Sequence, residues 1–188
     1  MQRRTLLTLL SGAGLAYGAS AIAQYVKLAD ATSGKSVEDL QRDWRKLLAK
    51  DAKVADDATP LKKSDDEWKR ALSPQSFHVL REEGTEHPFT SPLNDEHRRG
   101  TFVCAGCALP LFTSDMKFDS GTGWPSFFTT IPKVFETKTD TLLIYPRTEY
   151  HCAKCGGHHG HVFNDGPAPT HLRYCNNGVA LKFIPLGA

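Results

Sequence analysis

Cys104-Ala105-Gly106-Cys107 and Cys152-Ala153-Lys154-Cys155 are two C-x-x-C pairs in a chain whose fifth cysteine, Cys175, belongs to neither. Their spacing matches a tetrahedral four-thiolate zinc site, in which each pair presents two sulfurs from a tight turn and one ion joins two distant hairpins. Gly106 inside the first pair and Gly156-Gly157 after the second supply residues that tolerate tight-turn backbone. Two redox disulfides of the thioredoxin kind are a competing reading, but no βαβ pattern surrounds either pair. Long-range disulfides, which an exported protein can carry, are another. Four cysteines read as structural and Cys175 as chemical.

Outward from the pairs, short apolar runs are punctuated by Gly, Pro, Asp and Asn. Thr101-Phe102-Val103, Leu142 to Tyr145, His161-Val162-Phe163 and Val179 to Phe183 read as strands. Upstream, Ser64 with Glu67 forms a capping box for a helix through about Leu72, and Ser73-Pro74 reads as the cap and first position of another, ending near Gly84. These elements predict a mainly β core with short peripheral N-terminal helices. At 188 residues and 40% hydrophobic, the chain has room for one such domain plus appendages.

The appendages lie at the N-terminus. Residues 1–23 read as a leader: Arg3-Arg4, an uncharged apolar stretch from Leu6, and Ala21-Ile22-Ala23 as a cleavage site. The twin arginines resemble a Tat-type signal, which implies a periplasmic destination. The alternative is an uncleaved N-terminal membrane anchor; with cleavage, no stable membrane association is expected. Residues 24–63 read as a polar linker carrying one amphipathic helix, with Val37, Leu40, Trp44, Leu47 and Leu48 on one face. That helix could dock on the domain or recruit something else. Without the leader, 21 basic residues face 21 acidic ones, a balance that gives no basic footprint for nucleic acid. A monomer is expected.

Two segments concentrate the remaining polar chemistry. Gly157-His158-His159-Gly160-His161-Val162-Phe163-Asn164-Asp165-Gly166 packs three histidines and an aspartate among glycines, and Arg173-Tyr174-Cys175-Asn176-Asn177 surrounds the unpaired cysteine with polar groups. Plainer readings exist: surface histidines, a second metal site, or a buried cysteine acting as a small hydrophobe. Against them, Cys155 fixes the segment upstream of the histidines, and Arg173, the histidines and Asn177 supply the surroundings that lower a thiol pKa. Strand alternation would separate His158 from His161, whereas another backbone would let them share a face.

With Gly84-Thr85-Glu86-His87-Pro88-Phe89 and Ser120-Gly121-Thr122-Gly123-Trp124-Pro125-Ser126-Phe127, these segments closely resemble the peptide-methionine (R)-S-oxide reductases, the B family of methionine sulfoxide reductases. The resemblance runs from about Ser64 to Pro185, within a catalytic domain drawn at 64–186. It implies a compact domain of two antiparallel sheets with a zinc-ribbon-like four-cysteine site. It also implies Cys175 as nucleophile, His158 and His161 as active-site histidines, and Trp124 with Phe127 at the substrate. Asp165, Arg173 and Asn177 fall on positions that organise the site, and Cys104, Cys107, Cys152 and Cys155 on those that bind one structural zinc ion.

The implied reaction is chemically coherent. A sulfoxide sulfur is electrophilic and its oxygen a poor leaving group, so reduction needs a thiolate aimed at sulfur and a proton delivered to oxygen. Cys175 supplies the first, His161 and His158, oriented by Asp165 and Asn177, the second, and Trp124 holds the S-methyl group. Cys175 leaves as a sulfenic acid. Many relatives carry a second, resolving cysteine where Thr122 stands, and here no cysteine outside the two pairs is available. The expected reductant is therefore an external thiol, thioredoxin-like or small, and the expected role is repair of oxidised exported proteins. Asn176 replaces the usual aliphatic residue and Gly178 the usual serine. Two other classes stay open: a zinc-ribbon binding module, which has no need of Cys175 or Trp124, and a metalloenzyme using the histidines as ligands for a second, catalytic metal.

Overall fold

The computed structural model describes residues 34–140 and 146–187. The leader and the strand expected over Leu142 to Tyr145 lie outside the described residues. Among the described residues three short helices precede the strands: α1 (Val37–Arg42), α2 (Asp65–Ala71) and α3 (Pro74–Glu82). Ser64 and Glu67 complete both halves of the expected capping box on α2, and Ser73 caps α3 ahead of Pro74. α3 stops at Glu83, which adopts a left-handed backbone conformation one residue before Gly84.

Nine strands follow among the described residues: β1 (Gly100–Cys104), β2 (Pro110–Thr113), β3 (Lys117–Phe118), β4 (Ser126–Phe127), β5 (Phe135–Asp140), β6 (Arg147–Cys152), β7 (His158–Phe163), β8 (Arg173–Asn176) and β9 (Leu181–Pro185). They form two antiparallel sheets, β2-β1-β9 and β3-β4-β8-β7-β6-β5. The run Val179 to Phe183 is split. Gly178–Ala180 forms a 3-10 turn and only the remainder enters β9, because the Glu86 carboxylate draws the Gly178 and Val179 N–H groups out of any ladder.

The sheets meet through aromatic side chains. Phe112 of β2 stacks on Phe127 of β4 with centroids 3.9 Å apart, and Phe102 of β1 meets Phe127 edge-on at 5.0 Å. Phe135 and Tyr150 extend the layer along the larger sheet. Burying each such ring contributes about 1.5–3 kcal/mol, so this seam contributes several kcal/mol of apolar burial between the sheets.

The amphipathic helix is shorter than the sequence suggests: α1 ends at Arg42 and the chain tightens into a 3-10 turn over Trp44–Leu47. Leu40 and Leu47 are buried, and the Thr101 hydroxyl donates to the Leu47 carbonyl at 2.9 Å. This segment docks on the β domain. The residues after it also pair with both cysteine turns, the Ala55 N–H donating to the Ala108 carbonyl at 3.0 Å and the Leu61 N–H to the Lys154 carbonyl at 2.6 Å. Contacts made through backbone atoms leave no mark on the hydropathy pattern, which is why these residues read as a linker.

Candidate active site

Cα partners in adjacent antiparallel strands carry their side chains on the same face of a sheet. In the six-stranded sheet one such row crosses every strand: Lys138 opposite Glu149, Glu149 opposite His161, His161 opposite Cys175, Cys175 opposite Ser126, and Ser126 opposite Phe118. The row brings the sequence-predicted Cys175 and His161 side by side. It also adds Glu149, which the motifs did not reveal.

His158 joins them through a β-bulge. The β6–β7 register shifts between Tyr150 and His151, so that Tyr150 faces Gly160 while His151 faces His158. The extra residue on β7 re-aims the chain and places the His158 and His161 rings 5.6 Å apart. Gly160 makes the passage possible. Its φ is +154°, and a Cβ there would sit 2.0 Å from the Cys175 carbonyl oxygen. His159 points to the other side, into the core, where its Nδ1 lies 3.2 Å from Asn176 Oδ1 and Tyr150 donates to that same oxygen at 2.9 Å. Tyr150, His159 and Asn176 thus form a buried polar set beneath β8, and burial holds the His159 imidazole down at about 4.

The partners of the catalytic-candidate histidines differ from those expected. Glu149 closes on His158 Nδ1, and Asp140 Oδ2 lies 2.9 Å from His161 Nε2. Asp165 instead binds Arg173 with two contacts of 2.8 and 2.9 Å, since it follows the end of β7 where Phe163 pairs with Arg173. Asn177 receives the Glu86 N–H at 3.0 Å and donates to the His159 carbonyl at 3.0 Å. It shapes backbone and does not reach either ring. Glu149 and Asp140 stand on largely polar strands near the sheet edge, so hydropathy gave them no prominence. Burial lowers His158 to about 4, which leaves it neutral at pH 7.

The electrostatics of Cys175 also correct an expectation. Burial pushes its thiol above the ordinary cysteine value, while the Arg173 charge and hydrogen bonds from Thr122 and Arg173 pull it down without overcoming desolvation. Arg173 is half committed elsewhere because its guanidinium already forks onto Asp165. Thr122, at the resolving-cysteine position of many relatives, belongs to a hydroxyl chain: Ser120 contacts both Thr122 and Ser126 at 2.8 Å.

Trp124 donates its indole N–H to the Glu86 carbonyl at 3.2 Å. Beside it opens a cleft of about 220 Å³ with Phe89, His97, Phe118 and Gly123 on its walls; Phe89 is 73% exposed. Phe127, in contrast, is fully buried and stacked on Phe112. It faces the core side of β4, opposite to Ser126, and packs between the sheets where the resemblance implied a place at the substrate. Within this motif Trp124 lines the cleft while Phe127 packs in the core. Glu86 is a further residue the sequence reading passed over. Its carboxylate anchors Gly178 and Val179, its N–H meets Asn177, and its carbonyl holds Trp124. Gly178 has a local reason: a Cβ there would lie 1.9 Å from Ser91 Oγ, so the Ser91 hydroxyl fills the space of a side chain at 178.

The four remaining cysteines converge from the β1–β2 and β6–β7 turns, one from each sheet. Their sulfurs all lie within 4.8 Å of one another, with Cys104–Cys155 and Cys107–Cys152 at 3.6 Å. A disulfide needs about 2.05 Å, whereas tetrahedral zinc with bonds of ≈ 2.3 Å sets its sulfurs about 3.8 Å apart. The donor set therefore fits a zinc ion. Arg81 of α3 braces the second turn by donating to the Cys155 carbonyl at 2.8 Å.

The SelR domain model matches residues 72–185. A peptide methionine sulfoxide reductase MsrB of Leptospira interrogans is 51% identical over 122 residues, covering 64% of this chain and 93% of its own length. The protein of the same description from Bradyrhizobium diazoefficiens is 52% identical over 138 residues, covering 72% and 98%. That from Agrobacterium fabrum is 50% identical over 125 residues, covering 66% and 93%. The chain belongs to the SelR-domain family, the peptide methionine sulfoxide reductases MsrB.

Proposed function

We propose that the protein reduces the R diastereomer of methionine sulfoxide in oxidised proteins, with Cys175 as nucleophile. The observation that carries this reading is the opposition of His161 and Cys175 on one face of the sheet, with His158 brought to the same face by the bulge. The Cys175 sulfur attacks the sulfoxide sulfur while a proton reaches the sulfoxide oxygen. The S–O bond then breaks as the hydroxyl passes to the Cys175 sulfur and the transient sulfur–sulfur bond cleaves with its electron pair going to the substrate sulfur, leaving methionine and a Cys175 sulfenic acid. Because burial favours the protonated thiol, the thiol proton itself is available for transfer. His161, fixed through Nε2 by Asp140, keeps Nδ1 as the second ring nitrogen for that traffic.

Arg173 holds negative charge on Cys175 as the proton leaves, with Asp165 fixing the guanidinium plane. Trp124 takes the S-methyl group, and the cleft beside it, with exposed Phe89 at the rim, accommodates the flanking polypeptide. Asn177 acts through backbone, holding the Glu86 loop and hence Trp124 against β8.

Cys104, Cys107, Cys152 and Cys155 hold one structural zinc ion, which pins the two sheets at the turn leading into His158. With those sulfurs committed, the sulfenic acid is resolved by an external thiol. One thiol displaces water to give a mixed disulfide, and a second releases the Cys175 thiol and leaves as a disulfide. The twin-arginine leader supports work on exported proteins in the periplasm. Separated R and S diastereomers of a methionine-sulfoxide peptide, with dithiothreitol as reductant, test the reading. Loss of the R form alone, abolished in Cys175→Ser, is the expected result. Turnover that survives Cys175→Ser would overturn it.

A further inference from the structure

The bulge that aims His158 also assembles a group of ligands distinct from the four thiolates. Glu149 and His151 lie two residues apart on one face of β6, and His158 faces His151 across the ladder. One donor atom from each lies within 4.8 Å of the other two. Glu149 Oε1 is 3.0 Å from His151 Nε2 and still closer to His158 Nδ1. None of these three facing atoms has a hydrogen-bond partner of acceptable geometry, nor does His158 Nε2. Glu149 and His158 side chains are only 5% and 2% exposed, so buried polar atoms without a hydrogen-bond partner, Glu149 Oε1 and His158 Nδ1, aim into one point.

The surroundings prepare lone pairs for a cation. His151 Nδ1 lies 3.3 Å from the Gly156 carbonyl, and an N–H donated there leaves the Nε2 lone pair facing the carboxylate, the backing usual for metal-ligating imidazoles. Lys138 Nζ engages the other carboxylate oxygen, Oε2, at 3.3 Å and leaves Oε1 to the histidines. Two imidazoles and one carboxylate with an open position suit a divalent first-row ion such as zinc. His151, whose side chain is 15% exposed, is the side open to solvent.

We propose that Glu149, His151 and His158 form a second, exchangeable site for a divalent transition-metal ion, and that occupancy withdraws His158 from the active site and inhibits reduction. The binding claim stands apart from the catalytic reading; only the inhibition rests on it.

The test uses the full protein with its four-thiolate site loaded with zinc, dialysed against Zn²⁺ at fixed pH. Wild type and Cys175→Ser are expected to take up a second equivalent. His151→Ala should weaken that uptake by about 100-fold or more, since even losing an outer partner costs about 10–100-fold. His151→Gln, with circular dichroism and retention of the first zinc, separates ligand loss from misfolding. In a single turnover of R-sulfoxide peptide without added thiol, Zn²⁺ should slow wild type and leave His151→Ala unaffected. No second equivalent in wild type, uptake indifferent to both His151 variants, or uptake lost in Cys175→Ser would each overturn the site. Uptake without inhibition would uphold the site and overturn the catalytic role of His158.

Discussion

Replacing Gly160 by alanine tests whether the β7–β8 junction is as tight as the structure makes it. The added Cβ would lie 2.0 Å from the Cys175 carbonyl oxygen and 3.1 Å from its carbon. Both are backbone atoms that no rotamer change can clear. The carbonyl must recede by about 1 Å, an overpacking that costs about 1–3 kcal/mol. The backbone at φ +154° adds a further ~1–3 kcal/mol of strain for an L side chain. A loss of about 2–6 kcal/mol is large against a total of roughly 5–15 kcal/mol, and at about 2–4 °C per kcal/mol it lowers Tm by roughly 5–20 °C. A shift of this size at the nucleophile also lowers kcat/KM by about 100-fold. Gly156→Ala is the control: φ is +68° with nothing within 4 Å of the new carbon, so only about 1–2 kcal/mol of left-handed strain applies. Urea unfolding and R-sulfoxide turnover on both variants give the comparison. Equal losses, or a Gly160→Ala protein within 1 kcal/mol of wild type on this scale, would refute the reasoning.

Because burial raises the Cys175 thiol, its alkylation by iodoacetamide should accelerate from pH 7 to pH 9, and Arg173→Gln should displace the profile to higher pH by removing the charge that favours thiolate. An unmoved profile would exclude that role for Arg173. His159 is buried and held near 4, below its unfolded value, so the unfolded chain binds the extra proton and stability falls as pH drops from about 6.5 towards 4, by up to roughly 1.4 kcal/mol per pH unit. His159→Leu should flatten that slope in unfolding titrations at pH 7 and pH 5. Cys104→Ser leaves the four-thiolate set one ligand short; zinc content by mass spectrometry should fall below one per chain and thermal unfolding should occur at lower temperature, whereas unchanged zinc content would count against the site. Glu86→Ala strips the Gly178 and Val179 N–H groups of their acceptor at about 1–3 kcal/mol for each buried donor, with Glu86→Gln milder.

Residues whose role depends on local spacing were readable from the chain. The C-x-x-C pairs, the Ser64–Glu67 box and Ser73-Pro74 each carry their geometry within four residues. Residues whose role depends on strand pairing were not. Glu149 and Asp140 meet His158 and His161 only once β5, β6 and β7 align, and β5 itself is an edge strand whose middle is exposed and polar. The bulge was equally hidden, because simple alternation would have parted the two histidines. Phe127 illustrates the opposite hazard, since its motif neighbour Trp124 lines the cleft while strand alternation turns its own ring into the core. In the segment before Ser64 the apolar face around Leu40 and Leu47 was legible, whereas residues 49–63 carried no apolar signature because Ala55 and Leu61 attach through backbone hydrogen bonds.

The row from Lys138 to Phe118 has an evolutionary consequence. Its members are spaced by the ladder, at about 4.8 Å per strand, so the main chain and not side-chain choice sets the separation of Cys175 from His161. Inserting one residue within β8 would exchange Cys175 for Tyr174 on the working face, and no compensating substitution nearby would restore it. Insertions between β7 and β8, or between β3 and β4, leave that lattice intact. Descendants of this chain should therefore vary in length at residues 166–172, beyond the Asp165 that fixes Arg173, while residues 119–125, which carry Thr122 and Trp124, and the strands themselves keep a fixed count.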